Sequence, residues 1–181
     1  MLRKLSVFTV VATMLLLTGC GDLLSLHSLY TAQDAVFDAA LEGRWESEDN
    51  QLLVERHGGF YNATLLSKKD LGAPAKYEVH LVDINGVRFA DLLEVGTIGH
   101  MFLRVRVTDG QLSLAFFDSQ WLRQQVSHER SEVEQGKTRA VLTTPTSQLR
   151  ETVARFAHDA KSYDPKELLF RRPAIARLAG S

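Results

Sequence analysis

Cysteine is almost absent from this sequence: Cys20 is the single one among 181 residues. A chain with one cysteine cannot form an internal disulfide, so its apolar core must hold the fold together. An excess of basic residues is also absent, since 21 lysines and arginines face 22 aspartates and glutamates. Proteins that bind nucleic acids usually show a basic excess or patch. We therefore expect no nucleic-acid partner.

Long apolar runs are scarce as well. One occurs at residues 5–17, directly after Arg3 and Lys4, and it is shorter than the about 20 apolar residues that cross a bilayer. A short apolar segment between positive charge and small residues is typical of a secretory signal peptide. No second long apolar run follows, and the remaining length predicts one domain.

The signal segment ends in Leu17-Thr18-Gly19-Cys20. Cysteine is alkylated as its thiolate, and the small residues before Cys20 leave room for processing enzymes. These four residues and the segment before them resemble the lipobox of bacterial lipoproteins. The resemblance implies cleavage before Cys20, a lipid on that residue and membrane attachment. The alternative is a plain secreted protein in which Cys20 has no special role.

The residues after the cysteine bear on the choice of membrane. In lipoproteins of this kind, an aspartate directly after the cysteine favours the inner membrane. Here Gly21 holds that position and Asp22 follows it, so the resemblance implies the outer membrane, facing the periplasm. Loss of Arg3 and Lys4 with the signal leaves 19 basic and 22 acidic residues, a formal charge of −3.

The middle of the chain alternates between apolar and polar residues, which predicts strands with one buried face. Trp45 opens the first, and further strands are predicted at 52–56, 60–66, 76–84, 87–93, 101–108 and 111–118. Three dipeptides between them suit tight two-residue turns: Gly58-Gly59, Asn85-Gly86 and Asp109-Gly110. Hairpins at this spacing indicate an antiparallel meander.

Helices are predicted after the meander. Asp118 or Ser119 can cap a short one. A longer one is predicted at 145–160, because Thr144-Pro145 is a typical helix start and the apolar residues then follow helical spacing. The charged segment 128–138 is expected to be a loop or a hairpin that turns at Gly136. Strands are predicted at 140–142 and 168–170.

The predicted domain plan has four parts. Residues 1–19 are the signal peptide, 20–41 the lipidated cysteine and tether, 42–173 a single β-rich domain with helix 145–160, and 174–181 a tail. The tether contains more leucine than flexible linkers usually do, and docking of these leucines on the domain is the alternative.

Few residues suggest chemistry. Glu78 and His80 are predicted to share one strand face about 7 Å apart, which is enough to begin a metal site. Zinc needs three or four ligands, and no third is evident, so a plain polar face is the simpler interpretation. Arg104 and Arg106 also share a face and are candidates for binding an anionic ligand, although a solvated face is the simpler interpretation.

No catalytic site is predicted. The Gly-x-Ser-x-Gly elbow of hydrolases is absent, and the proposed lipid consumes the thiol of Cys20. Asp91 and Glu94 flank two leucines, but a carboxylate pair without a defined pocket does not indicate acid–base catalysis. We expect no enzyme activity, no metal and no cofactor.

Gly43-Arg44-Trp45 opens the β-rich part of the chain. A Gly-x-Trp in this place resembles the first motif of lipocalin-type barrels and is similar to the start of some bacterial envelope lipoproteins. The lipocalin resemblance implies that Trp45 closes one end of a barrel against an arginine near the C-terminus, for which Arg171 and Arg172 are candidates. Lipocalins have eight strands followed by one helix, whereas here two predicted helices precede the last strand.

The predicted fold is α+β and β-dominated, with a curved antiparallel sheet or partly closed, lipocalin-like barrel and a C-terminal helix packed on it. We expect a non-enzymatic, lipid-anchored envelope protein that binds a small apolar or amphipathic ligand inside the barrel. The alternative is a tethered module that holds a protein partner at a sheet edge or surface patch. An apolar cavity of a few hundred cubic ångströms favours the first, and a filled core with an exposed apolar patch favours the second.

Overall fold

A computed structural model of the chain describes residues 23–34, 36–69, 72–126, 129–134 and 137–174, with the backbone alone at 129–134 and 137–139. The predicted signal peptide, Cys20 and the predicted tail beyond Ala174 lie outside these residues. Within the described part of the chain, no helix is long and apolar enough to cross a membrane.

The first half of the chain is mainly β-structure. Its strands are β1 (Leu23–Ser25), β2 (Gly43–Glu46), β3 (Asn50–His57), β4 (Phe60–Ser67), β5 (Ala75–Ile84), β6 (Val87–Glu94), β7 (His100–Thr108) and β8 (Gln111–Phe116). A single 3-10 turn at Ala39–Leu41 precedes β2.

The second half mixes helices and strands. Its elements are helix α1 (Ser119–Gln125), strands β9 (Glu129–Glu134) and β10 (Lys137–Leu142), helix α2 (Thr146–Phe156), a 3-10 turn at Ala160–Ser162 and strand β11 (Leu168–Arg171). The predicted hairpin in the charged segment is present as β9 and β10, while its proposed turn at Gly136 lies outside the described residues.

Eight strands close into an antiparallel barrel. Consecutive strands from β2 to β8 pair with each other, and β11 lies between β8 and β2. The pairing of β11 with β8 covers four residues, but β11 meets β2 through the single pair Arg171–Glu46. The prediction of a β-dominated, barrel-like α+β fold is confirmed, and the barrel is closed.

The barrel has two different ends. At one end, which we call the closed end, lie the three tight turns predicted from glycine-containing dipeptides. Asn85 and Asp109 have φ of 54° and 49° there, in the left-handed region that such two-residue turns require. At the other end, the open end, β6 and β7 are joined by residues 95–99.

Side chains on the two faces of the barrel wall form two apolar cores. The inner core includes Trp45, Leu81 and Leu103. On the outer face of β5 to β8, Val82, Phe89, Phe102 and other apolar side chains pack against α1, α2 and the N-terminal segment. Helices α1 and α2 and the N-terminal segment therefore cover a wall that simple alternation predicts to be polar.

The described part of the predicted tether is packed into the domain. Leu29 is fully buried in the outer core, and Leu41 belongs to the inner core. Strand β1 pairs in parallel with β10 and meets β7 at Ser25 and His100. Residues 23–34 and 36–41 are thus part of the folded domain.

The two helices begin and end for local reasons. Asp118 caps α1, accepting a hydrogen bond from the backbone N–H of Trp121 at 2.6 Å. The predicted helix 145–160 is shorter in the structure, because α2 ends at Phe156. Ser162 and Tyr163 donate hydrogen bonds to the carbonyl oxygens of Phe156 and Ala157, which satisfies groups that a longer helix would use.

Candidate functional site

The interior of the barrel contains a cavity of about 630 Å³. It runs from Leu41 near the closed end to the turn at residues 96–99 at the open end. This volume lies within the range of small-molecule pockets in proteins. Eight strands make a barrel whose interior is either filled by side chains or holds one small ligand.

Small side chains on the inner face help to leave this space. Ala63 of β4 and Ala90 of β6 both line the cavity, at positions where a larger apolar residue would extend into it. Leucines and valines make up most of the remaining lining. The cavity is therefore suited to an apolar group.

Polar side chains line the cavity mainly at the open end. The lining residues with polar side chains are Tyr77, Glu94 and Thr97. Tyr77 and Glu94 are paired across β5 and β6. Burial, together with the Glu94 carboxylate, raises the pKa of the Tyr77 hydroxyl above its ordinary value. The hydroxyl is thus protonated at neutral pH and can donate a hydrogen bond to a ligand.

Trp45 and Arg172 cover the closed end. Trp45 is fully buried, and its indole N–H donates to the carbonyl oxygen of Leu41 at 2.7 Å. The guanidinium of Arg172 lies 3.8 Å from the centre of the indole ring and donates to the carbonyl oxygen of Ala40 at 2.7 Å. Of the two arginines suggested by the lipocalin resemblance, Arg172 is the one that lies over Trp45.

Gly43 makes this approach possible. Its φ is +104°, and a Cβ on it would lie 2.7 Å from the Arg172 guanidinium. Any other residue would be strained there and would displace the arginine. The glycine and the tryptophan of the Gly-x-Trp motif therefore serve the same contact with Arg172.

The open end exposes apolar side chains. Val95 and Ile98, on the turn between β6 and β7, are 68% and 77% exposed. Gly99 of the same turn packs beneath Leu24 of β1, since a Cβ on Gly99 would lie 2.7 Å from the Leu24 Cδ1. Leu24, Leu26 and the turn together form part of the cavity mouth.

Glu78 and His80 lie together, as predicted from the strand pattern, but on the outer wall. Their side chains are joined by a hydrogen bond of 2.7 Å between His80 Nε2 and Glu78 Oε1. The His80 ring also stacks on Tyr30 with ring centres 3.7 Å apart. Neither residue lines the cavity, and the described residues contain no group of three side chains that could hold a metal ion.

Arg104 and Arg106 also lie on the outer wall. Both donate to Glu167 Oε1, at 2.9 and 2.8 Å, while Ser113 donates to Oε2 at 2.5 Å. The Ser113 hydrogen bond and the two arginines hold the pKa of Glu167 below its ordinary value. Glu167 thus takes the place that an external anion would occupy.

Asp91 and Glu94 are close in sequence, but their carboxylates lie in different environments. Asp91 faces outward and is 1% exposed, accepting from the Leu29 N–H at 2.5 Å and lying 2.6 Å from His100 Nδ1. Glu94 lines the cavity. An odd separation of three residues places the two on opposite faces of a strand, a signal that was present in the sequence.

The chain matches no family model, no curated protein and no solved structure.

Proposed function

We propose that this protein is a non-enzymatic, lipid-anchored protein of the bacterial cell envelope that holds one small apolar or amphipathic ligand inside its barrel. The main support for ligand binding is the apolar cavity of about 630 Å³, because small-ligand sites in proteins have volumes of this order. The residues considered for chemistry, Glu78, His80, Arg104 and Arg106, bind other side chains of the chain on the outer wall.

The lining also indicates how an amphipathic ligand lies in the cavity. Its apolar part fills the inner region between the leucines and valines, and its polar group lies at the open end beside Tyr77 and Glu94. A carboxylate repels ligands of like charge. We therefore expect an uncharged or amine-bearing polar group, and not a free carboxylate.

Native mass spectrometry tests the ligand. The protein is extracted from its own membranes in polymer nanodiscs, so that no detergent competes for the cavity. A bound species of one small-molecule mass per chain is the expected result. Bare protein alone, across a series of gentle activation energies, contradicts the proposal.

The anchor is proposed from Leu17-Thr18-Gly19-Cys20, with the outer membrane, periplasmic side, as the location. Its test is metabolic labelling with an alkyne-bearing palmitate. The wild type and a Thr18→Ala control, which keeps the small residue and the cysteine, are expected to incorporate the label, and Cys20→Ser is not. Label on Cys20→Ser, or none on the wild type, refutes the anchor.

The second candidate function, a tethered module for a protein partner, is favoured by one observation. Among the described strands, β9 pairs only with β10 and leaves its other edge free. Its sequence carries four charged residues, Glu129, Arg130, Glu132 and Glu134, and charges on an edge strand oppose the addition of another strand. Ligand binding therefore has the stronger support.

A further inference from the structure

We propose that the open end of the barrel rests on the membrane surface, so that the cavity draws its ligand, the acyl chain of a membrane lipid, directly from the bilayer. This inference rests on the proposed anchor at Cys20 and specifies the ligand class of the proposed function.

The first observation is the short connection between the anchor and the cavity mouth. Three peptide bonds separate Cys20 from Leu23, the first residue of β1, and three residues span at most about 11 Å. The next residue, Leu24, lines the cavity and packs on Gly99. A lipid on Cys20 therefore holds the open end, and not the closed end, close to the bilayer.

The position of β1 is itself fixed by the fold. It pairs with β10 over three residues and with β7 through Ser25 and His100. Leu29, four residues after β1, is fully buried and donates its N–H to the buried Asp91. These contacts prevent the N-terminal segment from acting as a long, free tether.

The second observation is where apolar side chains are exposed. Among the described residues, the large apolar side chains that are exposed are Leu66, Val95, Ile98 and Leu169. Leu66 lies near the end of β4, Leu169 near the start of β11, and the other two on the β6–β7 turn. Leu66, Val95 and Ile98 lie at the open end, which suits contact with lipid. Leu169 pairs with Ser113, close to the closed-end turn between β7 and β8.

The charges around this end are largely paired with each other. Lys69 lies 2.6 Å from Asp49 and Lys68 lies 3.8 Å from Glu46. Anionic lipids bind clusters of unpaired basic residues, and the described residues of this rim do not form one. The contact therefore depends on the apolar side chains, and we expect it on membranes without net charge.

The third observation is that the exposed turn is part of the cavity lining. Ile98, which is mostly exposed, borders the cavity together with Leu24 and Met101. An acyl chain that leaves the bilayer at this turn thus finds an apolar path into the barrel. Its polar group stays at the rim, beside Glu94 and Tyr77.

The test places a fluorescent probe at each end of the lipidated, full-length mature protein in vesicles of uncharged phosphatidylcholine. Ile98→Cys carries a bimane at the open end. Gly59→Cys is the matched control at the closed end, where a Cβ meets nothing within 4 Å. Because the lipid occupies the thiol of Cys20, each variant has a single reactive cysteine.

Nitroxide-labelled lipids then report contact. The expected result is strong quenching of the bimane at position 98 and none at position 59. Equal quenching at both positions, quenching at 59 alone, or no quenching at either overturns the orientation. Failure of the wild type to float with the vesicles also overturns it, because the anchor is then absent.

The route of the ligand into the cavity is tested with protein that carries no bimane. A fluorescent lysophospholipid is supplied in donor vesicles, and its transfer to the protein is followed. Replacing Val95 and Ile98 together by serine is expected to slow its transfer into the lipidated protein by at least about tenfold, the effect of losing about 1.4 kcal/mol of apolar contact. An unchanged rate contradicts uptake through this end.

Val95→Ser alone, at an exposed position of the turn that does not line the cavity, separates this inference from the proposed function. Its binding of phenylnaphthylamine, added in the absence of vesicles, is expected to be unchanged. Normal binding with unquenched bimane at position 98 means that the cavity binds ligands but does not face the membrane. Quenched bimane without any lipid uptake means that the orientation is right and the ligand class is wrong.

Discussion

The two ends of the barrel differ in almost every physical respect. The closed end has tight turns, a fully buried tryptophan and an arginine stacked on it. The open end has an exposed apolar turn and the mouth of an apolar cavity. The contrast teaches that the features that stabilise the fold and those that support the proposed function are separated along the barrel axis: one end is packed, and the other opens to the cavity.

Strand β11 is held by side-chain contacts both before its first residue and after its last. Glu167 precedes the strand and binds Arg104, Arg106 and Ser113 of the neighbouring wall. Near the closed end, Arg172 follows the strand and lies over Trp45. These contacts support a strand that meets β2 through a single backbone pair.

Loss of Trp45 is expected to have the largest effect on stability. Trp45→Ala removes a fully buried side chain and is expected to lower the free energy of unfolding by about 3–5 kcal/mol. Leu92→Ala, at a half-buried position that borders the cavity, is the control and is expected to cost less than half as much. Urea unfolding followed by circular dichroism measures both, and equal losses would contradict the difference between the ends.

Loss of Arg172 is expected to have an intermediate effect. Arg172→Ala removes a cation–π contact and hydrogen bonds to two carbonyl oxygens, and we expect a loss of about 1–2 kcal/mol. Arg171→Ala, which truncates an exposed neighbour, is expected to change stability by less than about 0.5 kcal/mol. If the two variants lose the same stability, Arg172 does not secure the closed end.

The smallest effect is expected at Glu167, and it depends on pH. Because the folded pKa of Glu167 is lowered, its contribution to stability is complete above its ordinary pKa of 4.5 and is lost as pH falls through the lower folded value. Glu167→Gln is therefore expected to be less stable than the wild type at neutral pH and to approach it in acid. Arg172→Ala should show no such convergence, since a guanidinium does not titrate in this range.

Unfolding of these variants at a series of pH values checks the prediction. Asp34, whose pKa is lowered mainly by its hydrogen bond with Thr31, contributes acid sensitivity of the same sign to every variant. The difference between wild type and Glu167→Gln isolates the contribution of Glu167. A difference that is independent of pH would show that the carboxylate charge is not what holds the start of β11.

Much of the barrel could be predicted from local sequence. Asn85-Gly86 and Asp109-Gly110 correctly predicted two hairpins, and the alternation of apolar and polar residues predicted that Leu103 and Val105 share one face of their strand. The outer core was not predicted, although apolar neighbours such as Leu81 and Val82 indicate burial on both faces of a strand. The location of β11 depends on pairing with strands distant in sequence, which no local pattern specifies.

The candidate site was only partly predictable. Alternation correctly grouped Glu78 with His80 and Arg104 with Arg106, but it does not state which face of a strand points into the barrel. Glu94 shares the inner face with Leu92, so its place in the lining follows once the inner face is known. The cavity itself depends on summed side-chain volumes, including those of Ala63 and Ala90, across all eight strands.

The central claim is that the barrel holds an apolar ligand, and binding of phenylnaphthylamine tests it. The protein used is the chain from Gly21 onward, which carries no lipid and so needs no detergent. Two variants on β4 form a matched pair: Ala63→Phe extends into the cavity, while Asn62→Phe adds the same ring to the outer face.

Fluorescence titration is expected to show saturable binding to the wild type and to Asn62→Phe. Binding to Ala63→Phe should be weaker by at least about tenfold, because the added ring occupies the space of the ligand. Equal binding to all three proteins, or no saturable binding to the wild type, would contradict the claim that the interior of the barrel is the ligand site.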